Sequence, residues 1–229
     1  MATESPQKID IQPLLEIRAF YYDFLRRVFR EEPGDTFLRQ LKKKEVSHFP
    51  LIEENPHLLR GVREVINYLN SMGIGEAIDT LHWDYTRMFI GPYTPLPAPI
   101  WESAYRNKDG LLFQNETLTV RLAYLKHAFL PRQFGKEADD HLGLELDFMY
   151  QLSLRSMESY QGGDTATFYA LLADQELFLH EHLGKWIPHF SEKVLQEAET
   201  DFYKGMVKIL QGFLHLDSAA LEELMEITH

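Results

Sequence analysis

The sequence predicts an all-α protein of about ten helices, and three observations carry that expectation. Apolar residues recur at three- and four-residue spacing through most of the chain. Asn, Asp, Pro and Gly punctuate these runs where helices start and stop. No segment alternates apolar with polar residues as a half-buried strand does, and no repeat or low-complexity tract occurs. At 229 residues the chain is long enough to enclose a core, and 45% hydrophobic content excludes a disordered one.

Each element has its own justification. Ile11, Leu14, Leu15, Phe20, Phe24, Leu25, Val28 and Phe29 form a helical stripe that stops at Glu31-Glu32-Pro33-Gly34. Asp35 starts a short helix through Phe37, Leu38 and Leu41, with Lys42-Lys43-Lys44 at its end, where cations suit the helix dipole. Asn55-Pro56 is a cap followed by proline at the first helical position, opening a helix through Leu58, Val62, Val65, Ile66 and Leu69. A fourth helix runs from about Glu76 through Leu81, Tyr85 and Phe89 to Gly91-Pro92. Four prolines then interrupt the pattern between Gly91 and Pro99, marking an ordered loop or a hinge near residues 91–100 at which two copies can exchange helices.

A turn signal at Asn107-Lys108-Asp109-Gly110 precedes a helix capped by Asn115, its core face drawn by Leu118, Leu122, Leu125 and Phe129, and ended by Pro131. The stretch from Glu137 to Leu152 opens with consecutive acids, and Leu142, Leu146, Met149 and Leu152 recur at core spacing. His141 and Glu145 lie four apart and share one surface at the helix mouth, where a histidine either completes a cap or holds a ligand. That helix closes at Gly162-Gly163. Asp164 starts the next, which ends near Gly184. Trp186-Ile187-Pro188 reads as a bend, Ser191 restarts the pattern, Phe202 to Phe213 mark a further helix, and Asp217 or Ser218 caps a last one.

Charge and composition narrow the function. With 35 acids against 23 bases the net charge is −12, a field that repels nucleic acid and anionic lipid and draws basic partners over roughly 8 Å at physiological salt. Without cysteine, disulfides, thiolate catalysis and Cys-based metal sites are excluded. The N-terminal residues show no signal peptide, and no segment approaches the roughly 20 apolar residues of a membrane span, so the expected location is the cytoplasm.

Catalytic signatures are missing. Gly73-Ile74-Gly75 follows a helix and lacks the remainder of a phosphate loop, so it reads as a helix terminus. His180-Glu181-His182 sends its rings to different helix faces. Glu45-Val46-Ser47-His48 has the spacing of a di-metal carboxylate motif, but its one counterpart, Glu54-Asn55-Pro56-His57, is broken by proline. Neither a metal nor another cofactor is expected, no nucleophile elbow occurs, and the chain is not read as an enzyme. Aromatics gather at the breaks instead: Trp83, Tyr85, Trp101 and Tyr105 bracket the proline loop. They either plug gaps in the core or wall a groove with Glu102, Asp140 and Glu145 on its rim, suited to a peptide carrying arginines and apolar residues.

Two stretches carry a resemblance. Asp84-Tyr85-Thr86-Arg87-Met88-Phe89-Ile90-Gly91-Pro92, followed by Pro97-Ala98-Pro99-Ile100-Trp101-Glu102-Ser103-Ala104-Tyr105, resembles one signature of the TorD/DmsD/NarJ family. Glu137-Ala138-Asp139-Asp140-His141-Leu142 with Glu145-Leu146 resembles the second, and Phe178-Leu179 with His182-Leu183, Trp186 and Pro188 is a looser third match. The resemblance runs over nearly the whole chain, as one TorD-like helical domain across residues 1–229. It implies a cytoplasmic chaperone without catalytic turnover. Such a chaperone binds the precursor of a DMSO-reductase-type molybdoenzyme, often through its twin-arginine leader, until the molybdenum cofactor is inserted before export. It also implies leader binding at Asp140 and His141, with Tyr85, Trp101 and Glu102 lining or supporting the region. On this reading the apolar part of the leader meets Trp83, Trp101 and Tyr105, its arginines reach Asp140, Glu145 and Glu102, and a charged His141, favoured beside acids, opposes them. Asp139 stands where proline is common, and Ile100 and Ala104 replace a frequent Pro and Val. A helical adaptor for some other basic peptide is the alternative reading.

Overall fold

The computed structural model describes residues 10–106, 115–131 and 137–227, and among them every regular element is helical. In chain order these are α1 (Gln12–Phe29), α2 (Asp35–Lys42), α3 (Pro56–Asn70), α4 (Ile74–Tyr85), α5 (Ser103–Arg106), α6 (Asn115–Lys126), α7 (Leu142–Gly162), α8 (Thr165–Phe178), α9 (Gly184–Glu197) and α10 (Asp201–Glu226). Two 3-10 turns, Val46–His48 and Ile52–Glu54, precede α3. Single π-helical turns, Thr86–Ile90 and Leu179–Leu183, follow α4 and α8. The turn expected at 107–110 lies outside the described residues.

Local chemistry explains most boundaries. Asn55 Oδ1 accepts from the His57 and Leu58 amides while Pro56 fills the first helical position of α3. Gly163, at φ 73°, ends α7, and Asp164 accepts from the Thr167 amide to start α8. In the Glu45–His48 turn the ring Nδ1 of His48 accepts from the Glu45 amide, so that spacing serves a capping box. Gly73 is the N-cap residue of α4, in agreement with its reading as a helix terminus.

Helix pairs build the core. α3 lies along α10, and a Cβ at Gly61 would fall 2.5 Å from the Gly205 carbonyl, so glycine at this crossing lets the backbones touch. α1 lies along α7, where a Cβ at Gly143 would meet Arg30 Cα at 2.5 Å. Leu142, Leu146, Met149 and Leu152 are buried, as their spacing predicts.

Three expectations are corrected. Asp217 does not cap a last helix, because α10 continues through it. Its carboxylate is buried, accepting from Arg18 Nε at 2.6 Å and Tyr22 Oη at 2.7 Å. Pro188 sits inside α9 rather than at a bend. Without an amide Pro188 forfeits the hydrogen bond to the Gly184 carbonyl, and burial of Trp186, Ile187 and Phe190 around it keeps the chain helical. Finally, α6 buries Thr117, Val120 and Tyr124, not its leucines: Leu118, Leu122 and Leu125 are 56%, 65% and 56% exposed. Polar anchoring decides that orientation, since Thr117 Oγ1 donates to Asp140 and Tyr124 Oη to the Asp139 carbonyl.

The segment following Pro97 positions the site. Ala98 and Ile100 are buried, and Trp101 pairs with His141 as a one-residue antiparallel bridge. The Glu102 amide donates to the Asp140 carbonyl and the Leu142 amide to the Ile100 carbonyl, each at 3.0 Å. This clasp fixes α5 against the mouth of α7.

Candidate functional site

Asp140 and His141 form the inner wall of that clasp. The two Asp140 carboxylate oxygens accept from the Ser103 amide and from Thr117 Oγ1, both at 2.9 Å, so one side chain ties α5, α6 and α7 together. His141 Nδ1 accepts from the Gly143 amide at 3.0 Å, and its ring meets Trp101 edge-on at 5.7 Å. Of the two roles available to this histidine, the cap is the one the geometry gives. Burial, reinforced by Arg30 and only partly opposed by Asp140, lowers its pKa to about 4. Desolvation thus overrides the neighbouring acids, and the expectation of a charged ring is corrected.

Behind the clasp lies a cluster of carboxyl groups. Glu102, Asp140 and Glu145 are all buried, so the expectation of acids on an open rim does not hold. Their partners come from within the fold. Glu102 Oε1 accepts from Arg106, and Oε2 lies 2.8 Å from His182 Nδ1. Glu145 Oε2 accepts from Trp186 Nε1 at 3.1 Å, and Oε1 meets no donor. Burial, with the charges of Glu102 and Asp140 beside it, pushes the Glu145 carboxyl far above the ordinary carboxylate range and favours the neutral acid, which can donate to Glu102.

The aromatic residues separate. Trp101 is half-buried and donates through Nε1 to Glu137 at 2.8 Å. Tyr105 stacks on Trp186 at 5.6 Å and meets Phe190 edge-on, sealing the cluster from the core side. Tyr85 is buried against Phe89 and Tyr203, and Trp83 stands 72% exposed on α4. The structure therefore gathers Trp101, Glu102, Tyr105, Asp140, His141 and Glu145 into one region, while Tyr85 belongs to the core packing against α10 and Trp83 to the surface.

The accessible face of this region is a groove of about 460 Å³ between α6 and α8, with Leu122, Ala123, Leu177 and Phe178 among its walls. Arg106, Glu181 and His182 close one end, so Glu102 lies directly behind two of the groove's own residues. Leu118 and Leu125 flank Leu122 on the exposed face of α6, and Leu177 is 59% exposed on the opposite wall. Sequence reasoning missed Arg106, Thr117 and Leu177. Arg106 was detectable four residues after Glu102, a spacing that pairs opposite charges on a helix. A larger groove of about 830 Å³, between α8, α9 and α10, carries His180, Lys185, His215 and Glu222 and has no buried acid behind it among its lining residues. Among the described residues no three His, Asp or Glu side chains are placed to hold a metal, and no helix is long and apolar enough to cross a membrane.

Residues 55–192 match the family described as nitrate reductase delta subunit. The chain belongs to this family. It is a TorD/NarJ-type maturation protein, and its curated relatives are named as chaperones rather than enzymes. "Chaperone protein TorD" of Vibrio vulnificus is 29% identical over 91% of this chain and 96% of its own length. The protein of the same name from Aliivibrio fischeri is 28% identical over 88% and 93%, and that from Vibrio cholerae 26% over 96% and 99%. Among solved structures, a putative redox enzyme maturation protein from Archaeoglobus fulgidus matches 96% of this chain and 99% of its own, at 17% identity and a TM-score of 0.45. In this family the chain is a molybdoenzyme maturation chaperone.

Proposed function

We propose that this chaperone binds the twin-arginine leader of a molybdoenzyme precursor in the cytoplasm and holds the precursor until the molybdenum cofactor is inserted, before export. The apolar run of the leader lies in the α6–α8 groove, and its arginines point toward the end where Glu102 and Glu181 sit. The observation that carries this reading is the groove walled by the exposed Leu122 and Leu177, with Leu118 and Leu125 exposed beside Leu122 on α6 and the buried Glu102 behind Arg106 and His182. Helical side chains four and three apart present one continuous face, the arrangement that takes up an amphipathic segment. The net charge of −12 favours a cationic partner. On this reading Asp140, His141 and Trp101 support the site by holding α5 and α6 in place, and they do not face the ligand.

Micromolar affinity, about −8 kcal/mol, suits a partner that must later be released. Titration calorimetry with a synthetic twin-arginine leader tests the reading. Leu122→Asp removes one buried leucine from the interface, about 1.5–3 kcal/mol, and weakens binding by roughly 10- to 100-fold. Replacing both leader arginines by glutamine weakens it as well. Unchanged affinity in both cases excludes the groove as the binding site.

A further inference from the structure

The Glu102 carboxylate has no exposed surface, yet it lies one residue's thickness behind the groove. A buried carboxylate left without a cation is strongly unfavourable, so a pocket built to receive an arginine here cannot stand empty. The structure fills it from within. Arg106 closes the short helix α5, reaches back one turn to Glu102 Oε1, and donates to the Glu181 carbonyl at 2.8 Å. Its side chain remains 28% exposed at the end of the groove, whereas Glu102 is fully enclosed.

Resting on the leader reading above, we propose that Arg106 is an internal stand-in for an arginine of the ligand. Its guanidinium occupies an alkylguanidinium subsite at Glu102 when no peptide is bound and gives way when one arrives. The exchange is guanidinium for guanidinium, so Glu102 keeps a planar cationic partner throughout and no proton moves. A lysine ammonium is a compact and more strongly hydrated charge than a guanidinium, so bringing a cation against the enclosed Glu102 favours arginine over lysine. Self-occupation also lowers the apparent affinity for peptide by the fraction of molecules in which Arg106 is seated.

The test uses the full chain with Arg106→Ala, and with Arg106→Gln as the second variant should alanine compromise folding. Arg60→Ala, at an exposed position on α3, controls for the loss of one positive charge. Millimolar N-ethylguanidinium is expected to raise the melting temperature of the Arg106 variants and not that of the wild type or of Arg60→Ala, and N-ethylammonium at equal ionic strength is expected to do neither. A synthetic amidated peptide of two arginines followed by an apolar run is expected to bind the Arg106 variants about tenfold more tightly than wild type. Equal response of all proteins to N-ethylguanidinium, or peptide binding to the Arg106 variants that is equal to wild type or weaker, overturns the proposal while leaving wild-type leader binding intact. If both Arg106 variants are unfolded, the residue is a fixed part of the fold and the proposal fails. If N-ethylguanidinium selects the Arg106 variants but no protein binds the peptide, the subsite stands and the leader reading falls.

Discussion

Replacing Asp140 by alanine separates a structural role from a binding role at the position where the family resemblance puts the ligand. Both carboxylate oxygens are engaged inside the fold, by the Ser103 amide and the Thr117 hydroxyl, and the side chain has no exposed surface. Each hydrogen bond to a charged acceptor contributes about 1.5–3 kcal/mol, and removal also leaves two buried donors unmatched, so Asp140→Ala costs about 3–5 kcal/mol. For a chain of this size each kcal/mol shifts the melting temperature by about 2–4 °C, giving a fall of roughly 6–20 °C. Asp140→Asn keeps one acceptor and falls by about half as much. Differential scanning calorimetry reads the shift, and calorimetric titration of the leader well below the melting temperature reads binding separately. Lost binding with a melting temperature within about 2 °C of wild type would refute the reasoning, because Asp140 would then contact the ligand itself.

Further predictions follow from the same geometry. His141 is neutral in the fold with a pKa lowered to about 4, against 6.5 for the free side chain, so the unfolded chain takes up its proton first as pH falls. Stability present at pH 7 is therefore lost between about pH 6.5 and 4, to a total of about 3 kcal/mol, and His141→Asn, a non-titrating cap, flattens denaturation curves measured over that range. Glu145 behaves oppositely: its pKa is raised, so stability declines as pH rises above the ordinary carboxylate range, where the unfolded chain releases a proton the fold retains. Glu145→Gln keeps an acceptor for Trp186 and a donor for Glu102, and it should melt above wild type at pH 8 and with it at pH 4.5. Asp217→Ala leaves the buried Arg18 guanidinium, which already has one nitrogen unmatched, without its anion. Loss of about 3–5 kcal/mol in urea denaturation is expected, with leader affinity of the folded fraction unchanged.

Much of the fold is written in apolar spacing and punctuation. The stripes of α1, α3 and α7 are buried where the three- and four-residue rhythm places them, and Asn55, Asp164 and Gly163 cap where their chemistry says. The failures have a common physical cause, since local rules do not register tertiary polar partners. Asp217 looks like a cap because acids begin helices, yet Arg18, distant in sequence, makes burial in mid-helix favourable. The α6 leucines look like core because leucine usually is, yet Thr117 and Tyr124 are pulled inward by Asp140 and Asp139. That reversal exposes the surface on which the functional reading now rests. In the site, Trp101, Glu102, Asp140, His141 and Glu145 lie together, whereas Tyr85, expected beside them, packs against Phe89 and Tyr203. These acids are buried, because Arg106 and His182 on the groove side and Trp186 on the core side match them, and acids near a helix start do not show such partners in sequence.

The most direct test is to locate a bound leader on the surface of the chain. Photo-cross-linking from a benzophenone residue placed in the apolar run of a synthetic twin-arginine leader, with the adducts mapped by mass spectrometry, locates it. Adducts on α6 and α8, at or beside Leu118, Leu122, Leu125 and Leu177, are the predicted result. Adducts confined to Trp83 on α4, or to the groove around His180 and His215, would contradict it.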